Sequence, residues 1–182
     1  MNRHLLAFAL LFALSPLARA QDMPLAQIPI PGEGWKKVPD ATKPKGLGDP
    51  PASVPGGPYK TAAIQTPDGC SVFVAYSKEK FLHAHAIDKN GALSAGYPYA
   101  PLRTKTGEKE ISVTSLAVDK DGRIYAATEI GVQVFDPTGR MCGVLTPAAP
   151  GIAQALLFEG DQLTLWIGDT KYTRTLRTTG VK

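Results

Sequence analysis

The chain is predicted to be all-β, built from short four-stranded antiparallel sheets that recur along it. Two observations carry this reading: runs rich in β-branched and aromatic residues, and tight Asp/Gly turns that separate them. The clearest unit lies between Gly107 and Pro150, with runs VTSLAV (113–118), RIYAAT (123–128), GVQVF (131–135) and MCGVLT (141–146). A DKDG turn (119–122) and a DPTG turn (136–139) punctuate it. In the second turn Pro137 presets φ, Asp136 bonds back to the backbone and Gly139 closes the loop. An up-and-down sheet of this kind is the form of one propeller blade, and it needs neighbours to cover its two apolar faces. The expected fold is therefore a partial β-propeller of about two to three blades, preceded by a signal peptide and a Pro-rich extended arm.

Each segment follows in chain order. Residues 1–20 carry Arg3, the apolar run LLAFALLFAL, and Ala18-Arg19-Ala20 before Gln21. That run is shorter than the roughly 20 residues needed to span a bilayer, so the stretch reads as a signal peptide. The expected localisation is periplasmic or secreted, with no membrane anchor. Residues 21–58 change character: eight of the chain's 16 prolines lie between Pro24 and Pro55. Proline at this density opposes both helices and sheet ladders, so a linker or extended arm is expected, with Trp35 as its one large aromatic. A substrate-binding role for Trp35 is the sharper alternative to a plain spacer.

The globular part, 59–182, repeats itself in blades of about 59–106, 107–149 and 150–182. In the first, KTAAIQ, SVFVAY, FLHAHAI and ALSAGYPY alternate with turns at Thr66-Pro67-Asp68-Gly69 and Asp88-Lys89-Asn90-Gly91. The third holds AQALLF, QLTLWIGD and KYTRTLR and lacks a fourth strand. Propeller rings close with about four to eight blades, so this chain cannot close one alone. Blades bury their faces only against neighbours, so self-association or a propeller-completing partner chain is expected.

Charge adds an exclusion. The formal net charge is +4, and removal of Arg3 and Arg19 with the leader leaves 18 basic against 16 acidic side chains, or +2. Without a clustered basic face, nucleic acid is not an expected partner. A bridge between Cys70 and Cys142 and a pair of buried free thiols both stay open.

The segment DKDGRIYAATEIGVQVFDPTGR resembles gluconolactonase/regucalcin (senescence marker protein) propellers, in which a D-x-x-G turn, an "lYvAT" strand and a "GiqVfdp-G" strand follow one another. TPDGCSVFVAYSKEKFLHAHAIDKNGAL is similar to the preceding blade of secreted members, and FEGDQLTLWIGDTKYTRTLR to their closing blade. The resemblance covers 59–177, about the C-terminal half of a six-bladed member. It implies a lactone hydrolase using calcium or zinc, held at the channel mouth by a glutamate, an asparagine and an aspartate from different blades. The metal would polarise the lactone carbonyl and help activate water. Where the family has that aspartate, this chain has Val113-Thr114-Ser115-Leu116, with Thr114 in its place. A hydroxyl does not supply a carboxylate's charge, so no catalytic, cofactor-binding or metal residue is carried over.

Other constellations are weaker. His83 and His85 alternate on one strand and share a face, as two metal ligands would, but two surface histidines is the simpler reading. Glu159, Asp161 and Asp169 offer oxygens, though the first two bracket a turn glycine. Tyr125, Phe135, Phe158, Trp166 and Tyr172 suit blade-to-blade packing. Tyr97-Pro98-Tyr99, placed in a loop, is the expected exposed aromatic cluster, able to stack on a sugar or a peptide. The favoured function is a gluconolactonase-like propeller module, degenerate or truncated, that binds a partner or a small lactone or sugar-like ligand through its blades. The alternative is a metal-dependent lactone or ester hydrolase whose site another chain completes.

Overall fold

A computed structural model of the chain describes residues 24–43 and 60–181. The signal-peptide stretch 1–20 and residues 21–23 and 44–58 of the arm lie outside the described residues. Within them the molecule is all-β apart from one short 3-10 turn at Leu25–Gln27. Twelve strands form three four-stranded antiparallel sheets, ordered β2-β3-β4-β5, β6-β7-β8-β9 and β1-β12-β11-β10. The first sheet comprises β2 (Lys60–Gln65), β3 (Ser71–Tyr76), β4 (Phe81–Ala86) and β5 (Tyr97–Pro101). The second comprises β6 (Val113–Val118), β7 (Ile124–Thr128), β8 (Gly131–Phe135) and β9 (Met141–Leu145). The third comprises β1 (Lys36–Val38), β10 (Ala155–Glu159), β11 (Gln162–Ile167) and β12 (Thr170–Thr175). Strands β2 and β10 each lie beside β6, so the three sheets stack like successive propeller blades around an inner row of strands.

Two cores hold the stack together. Between the first and second sheets pack Phe73, Leu82, Leu116, Ile124 and Phe135; between the second and third pack Tyr125, Val132, Val134, Leu156, Leu163 and Leu165. Strand β7 divides its side chains between them, Ile124 and Ala126 to one side and Tyr125 and Ala127 to the other, as period-two alternation requires. The aromatic residues assigned to packing are buried or half-buried, and Phe158 meets Tyr125 edge-on with centroids 5.0 Å apart.

Four turns share one device. In each, the Gly N–H at the fourth position donates to the carbonyl of the first residue: Gly69 to Thr66, Gly91 to Asp88, Gly122 to Asp119 and Gly139 to Asp136. The side-chain oxygen of that first residue then accepts from the amide four or five residues on. Asp119 is fully buried and goes further, accepting from the Arg123 guanidinium at 2.9 Å and the Tyr125 hydroxyl at 3.0 Å. Burial pushes the Tyr125 phenol well above its ordinary range, and the neighbouring Asp119 carboxylate adds to this.

The third sheet corrects the expectation that its fourth strand is absent. Strand β1, from the proline-rich arm, pairs antiparallel with β12, setting Lys37 opposite Tyr172. The arm from Pro24 to Lys43 is therefore no spacer. Ile28 is buried in the second core, its carbonyl accepts from Arg177 N–H, and Trp35 donates its indole N–H to Thr146 O at 2.7 Å. Leu25 packs where a Cβ on Gly143 of β9 would stand. Prolines at 24, 29, 31 and 39 flank the three-residue strand and leave its own residues free to pair. At the other terminus, Lys120 N–H donates to Thr179 O and Gly180 N–H to Gly160 O, tying the tail to turns of the second and third sheets. Gly180 is required there because a Cβ would overlap Phe158.

Smaller corrections concern the first sheet. The Asn90-Gly91 turn forms, but only Leu93 bridges back to Ile87, and β5 starts later, at Tyr97. Tyr97-Pro98-Tyr99 thus lies on a strand and not in a loop. His83 and His85 do share a face, both near Tyr76, yet His85 is buried. Its ring bonds the Tyr76 hydroxyl and Ser94 O and fills the space against Gly96. The two cysteines are free thiols.

Two outcomes are expected. Ile28→Ala should lower unfolding free energy by about 3 kcal/mol in urea titration, since it opens a cavity in the second core; a spacer residue would move it by under about 0.5 kcal/mol. Asp119→Ala should cost about 3 kcal/mol by the same measurement, because it leaves the buried Tyr125 hydroxyl and the Arg123 amide without their acceptor and removes one of the two carboxylates that pair with the Arg123 guanidinium.

Candidate functional site

The inner strands begin with an irregularity that defines the rim where the sequence placed a metal ligand. In the first two sheets the pairing register slips at the start of the inner strand, between Lys60 and Ala62 and between Val113 and Ser115. Thr61 and Thr114 are the extra residues of these β-bulges. In the third sheet Gln154 stands just before β10, and its N–H donates to Trp166 O, the carbonyl of the residue paired with Ala155. The three equivalent positions thus carry two hydroxyls and an amide.

Those groups are already engaged. Thr114 donates its hydroxyl to Ala153 O across the inner row and lies 3.4 Å from Ala127 O. Next to it, Ser115 Oγ accepts from Leu156 N–H at 3.0 Å, so two consecutive hydroxyl side chains tie β6 to β10 and to the segment that leads into it. Thr61 Oγ1 reaches Ala75 O at 3.3 Å, and Gln154 Oε1 accepts from Lys43 Nζ at 2.8 Å. A divalent hard cation needs several oxygen ligands with carboxylate charge among them. This rim does not fit one. Among the described residues no group of three or more His, Cys, Asp or Glu is arranged to hold a metal ion.

The other sequence-marked groups scatter. Glu159 accepts from Lys171 Nζ and Thr164 Oγ1, and the lysine contact holds its carboxyl below the usual range. Asp161 shares the β10–β11 turn with it, whereas Asp169 lies beyond the far end of β11. His83 is 4.0 Å from Glu79 and has no other acidic neighbour among the described ion pairs.

A larger cleft opens at the opposite rim. Strand β6 runs from the Thr114 bulge to the Asp119–Gly122 turn, and that turn forms one wall of a cavity of about 470 Å³ between the first and second sheets. Pro137 of the β8–β9 turn lies on the same wall, and Thr66, Asp68 and Ser71 stand on the facing one. The floor is a cross-strand row in which Phe73 pairs with Ala84 and Ala84 with Tyr97. Phe73 stacks on Tyr99 with centroids 4.8 Å apart, and Tyr97 meets Tyr99 edge-on at 6.3 Å. Tyr97 remains 56% exposed. Tyr99 donates its hydroxyl to Pro137 O, which clamps the outer strand of one sheet to a turn of the next. Burial, with smaller contributions from Tyr97 and Asp136, pushes its phenol up to about 12.

The rim of this cleft carries Asp68, Asp121 and Lys120. Hydrogen bonds from the Thr66 hydroxyl and the Cys70 amide to Asp68 Oδ1 hold that carboxyl below its usual range. Asp121 pairs with Arg123 at 2.8 Å. Lys120 lies beside it on the same turn. Sequence reading singled out Tyr97 and Tyr99 but not Asp68, Lys120 or Asp121 as their neighbours. The shared D-x-x-G and T-x-x-G turn spacing was the available signal, since equal turns on adjacent blades fall on the same rim.

These features define a partial β-propeller, and the comparisons with solved structures agree. A gluconolactonase from Xanthomonas campestris matches with a TM-score of 0.55 and 22% identity, over 64% of this chain and 37% of that one. A second, described as a putative gluconolactonase, matches with a TM-score of 0.55 and 19% identity, over 68% and 40%. A luciferin-regenerating enzyme matches with a TM-score of 0.55 and 14% identity, over 68% and 48%. The likeness is one of fold, and the chain spans less than half the length of each. No protein-family model matches the chain, and no curated protein does.

Tyr99 gives this site a pH signature. Its folded pKa of about 12 exceeds the ordinary 10.0, so its contribution is complete below the lower value and is lost as pH rises through the upper one. Urea midpoints should fall across that window in the native chain and fall less in Tyr99→Phe, which should also lose about 1 kcal/mol at neutral pH with the bond to Pro137.

Proposed function

We propose that this protein is an exported, non-catalytic propeller module of gluconolactonase-like fold that binds a ligand or partner through its blades. One observation carries the reading: the three equivalent bulge positions at the inner rim are Thr61, Thr114 and Gln154, and their polar atoms are committed to hydrogen bonds within the protein. Lewis-acid activation of a lactone needs a cation with open coordination positions, and none of the three bulge positions carries a carboxylate to hold it. The leader-like stretch 1–20 supports export to the periplasm or beyond. The gluconolactonase likeness supports the fold, and a lactone or sugar-like ligand is the chemistry closest to it.

The competing reading is a hydrolase whose site another chain completes. It requires that chain to bring the charged ligands, because Thr61, Thr114 and Gln154 supply none at the bulge positions. Gluconolactone hydrolysis followed with and without chelator separates the two. The expected result is no chelator-sensitive turnover, together with a melting temperature unchanged by millimolar calcium. Turnover abolished by chelator and restored by calcium would establish the hydrolase instead. Export is checked by intact mass of the secreted protein, expected to begin at Gln21.

A further inference from the structure

We propose that the cleft between the first and second sheets is a saccharide-binding site, in which Tyr97 stacks on the ring face of a sugar and Asp68 accepts hydrogen bonds from its hydroxyls. This deepens the binding-module reading and rests on it. A pyranose presents an apolar C–H face and a rim of hydroxyls, so it calls for a flat aromatic surface flanked by discrete acceptors and donors. The cleft supplies both. Phe73, Tyr99 and Tyr97 form a continuous aromatic series whose last ring is left 56% exposed, and the small side chain of Ala84 beside it keeps the floor open. Burying that ring under a ligand would be favourable.

The polar groups narrow the ligand class. Asp68 uses Oδ1 for Thr66 and Cys70, leaving Oδ2 without a hydrogen bond among the described residues. Lys120, on the facing turn, has no ion pair among the described residues and can donate to a hydroxyl oxygen. Asp121 is spent on Arg123, so Asp68 and Lys120 are the charged groups left to face a ligand, one acceptor and one donor with no net charge to draw an ion of either sign. A bound peptide strand would need a row of unpaired backbone groups at strand spacing, and the cleft offers side chains and turns in its place. A neutral polyhydroxylated ring satisfies every wall. The cavity, about 470 Å³, lies within the range of small-molecule sites.

The site is at the opposite rim from Thr114, so it is separable from any chemistry in the propeller channel. The test uses the full mature chain with glucose, maltose and cellobiose as probes, by saturation-transfer NMR and calorimetry. Saturable binding of at least one sugar is expected, weakened about tenfold or more by Tyr97→Ala and by Asp68→Asn, with melting temperatures near that of the native chain. Thr114→Ala should leave the affinity unchanged. Absence of binding for all three sugars, affinity indifferent to Tyr97→Ala, or capture of a proline-rich peptide at Tyr97 in place of sugar would overturn the assignment. Calcium-dependent lactone turnover would instead remove the module reading, whatever the cleft binds.

Discussion

Burial of the second sheet on both faces is the constraint from which the rest of the architecture follows. Every residue of β7 and β8 is buried, so the sheet has no solvated side and must be covered twice. Its two faces meet different neighbours, through Leu116, Ile124 and Phe135 on one and Tyr125, Val132 and Val134 on the other. Each fully buried side chain of this size contributes about 1.5–3 kcal/mol, so neither flanking sheet can be removed without leaving the middle one unfolded. The one polar side chain in β8, Gln133, has no water to turn to. It exchanges two hydrogen bonds with the Arg103 backbone, at 2.8 and 2.9 Å, and thereby pins the connection between the first two sheets.

The outer sheets face a different problem, since each has only one neighbour. Their free faces are handled by composition. On the third sheet Thr164, Trp166, Thr173 and Lys171 share the face turned away from the second core, with Trp166 buried opposite Lys171 and Lys171 paired with Glu159. On the first, Val72 and Val74 are buried among Tyr76, Ile87 and Leu93, with His85 filling the space by Gly96. The third sheet's outer edge is covered by β1, which removes β12 as an unpaired edge. Ile28 and Trp35, both ahead of the strand, anchor the arm in this position.

The two rims of the stack differ in chemistry because they are built from different parts of the blade. At the inner-strand rim the bulges place hydroxyls where they can cross to the next strand, so Thr114 and Ser115 act as fasteners between sheets. At the other rim the tight turns concentrate Asp68, Asp119, Asp121 and Asp136. Two of these are buried and spent on their own turns, and Asp121 pairs with Arg123, whereas Asp68 faces the cleft with one carboxylate oxygen unused among the described residues. The same turn residue thus serves structure where it is buried and remains open to a ligand where it is not.

The sequence by itself determined the class, the four strands of the second blade nearly to the residue, and the turns, because these depend on local backbone preference and period-two burial. It also marked Thr114 as a hydroxyl where charge was expected, and Tyr97 and Tyr99 as an aromatic pair. Only the tertiary structure decided that a three-residue strand in a proline-rich arm completes the third sheet, since β1 has no pattern of its own and exists by pairing with β12. It likewise decided that His85 is interior and that Asp68 and Lys120, from turns of different blades, face one cleft. Local sequence specifies what a segment can become; which segments meet is set by the sheets that stack between them, and that information is distributed over the whole chain.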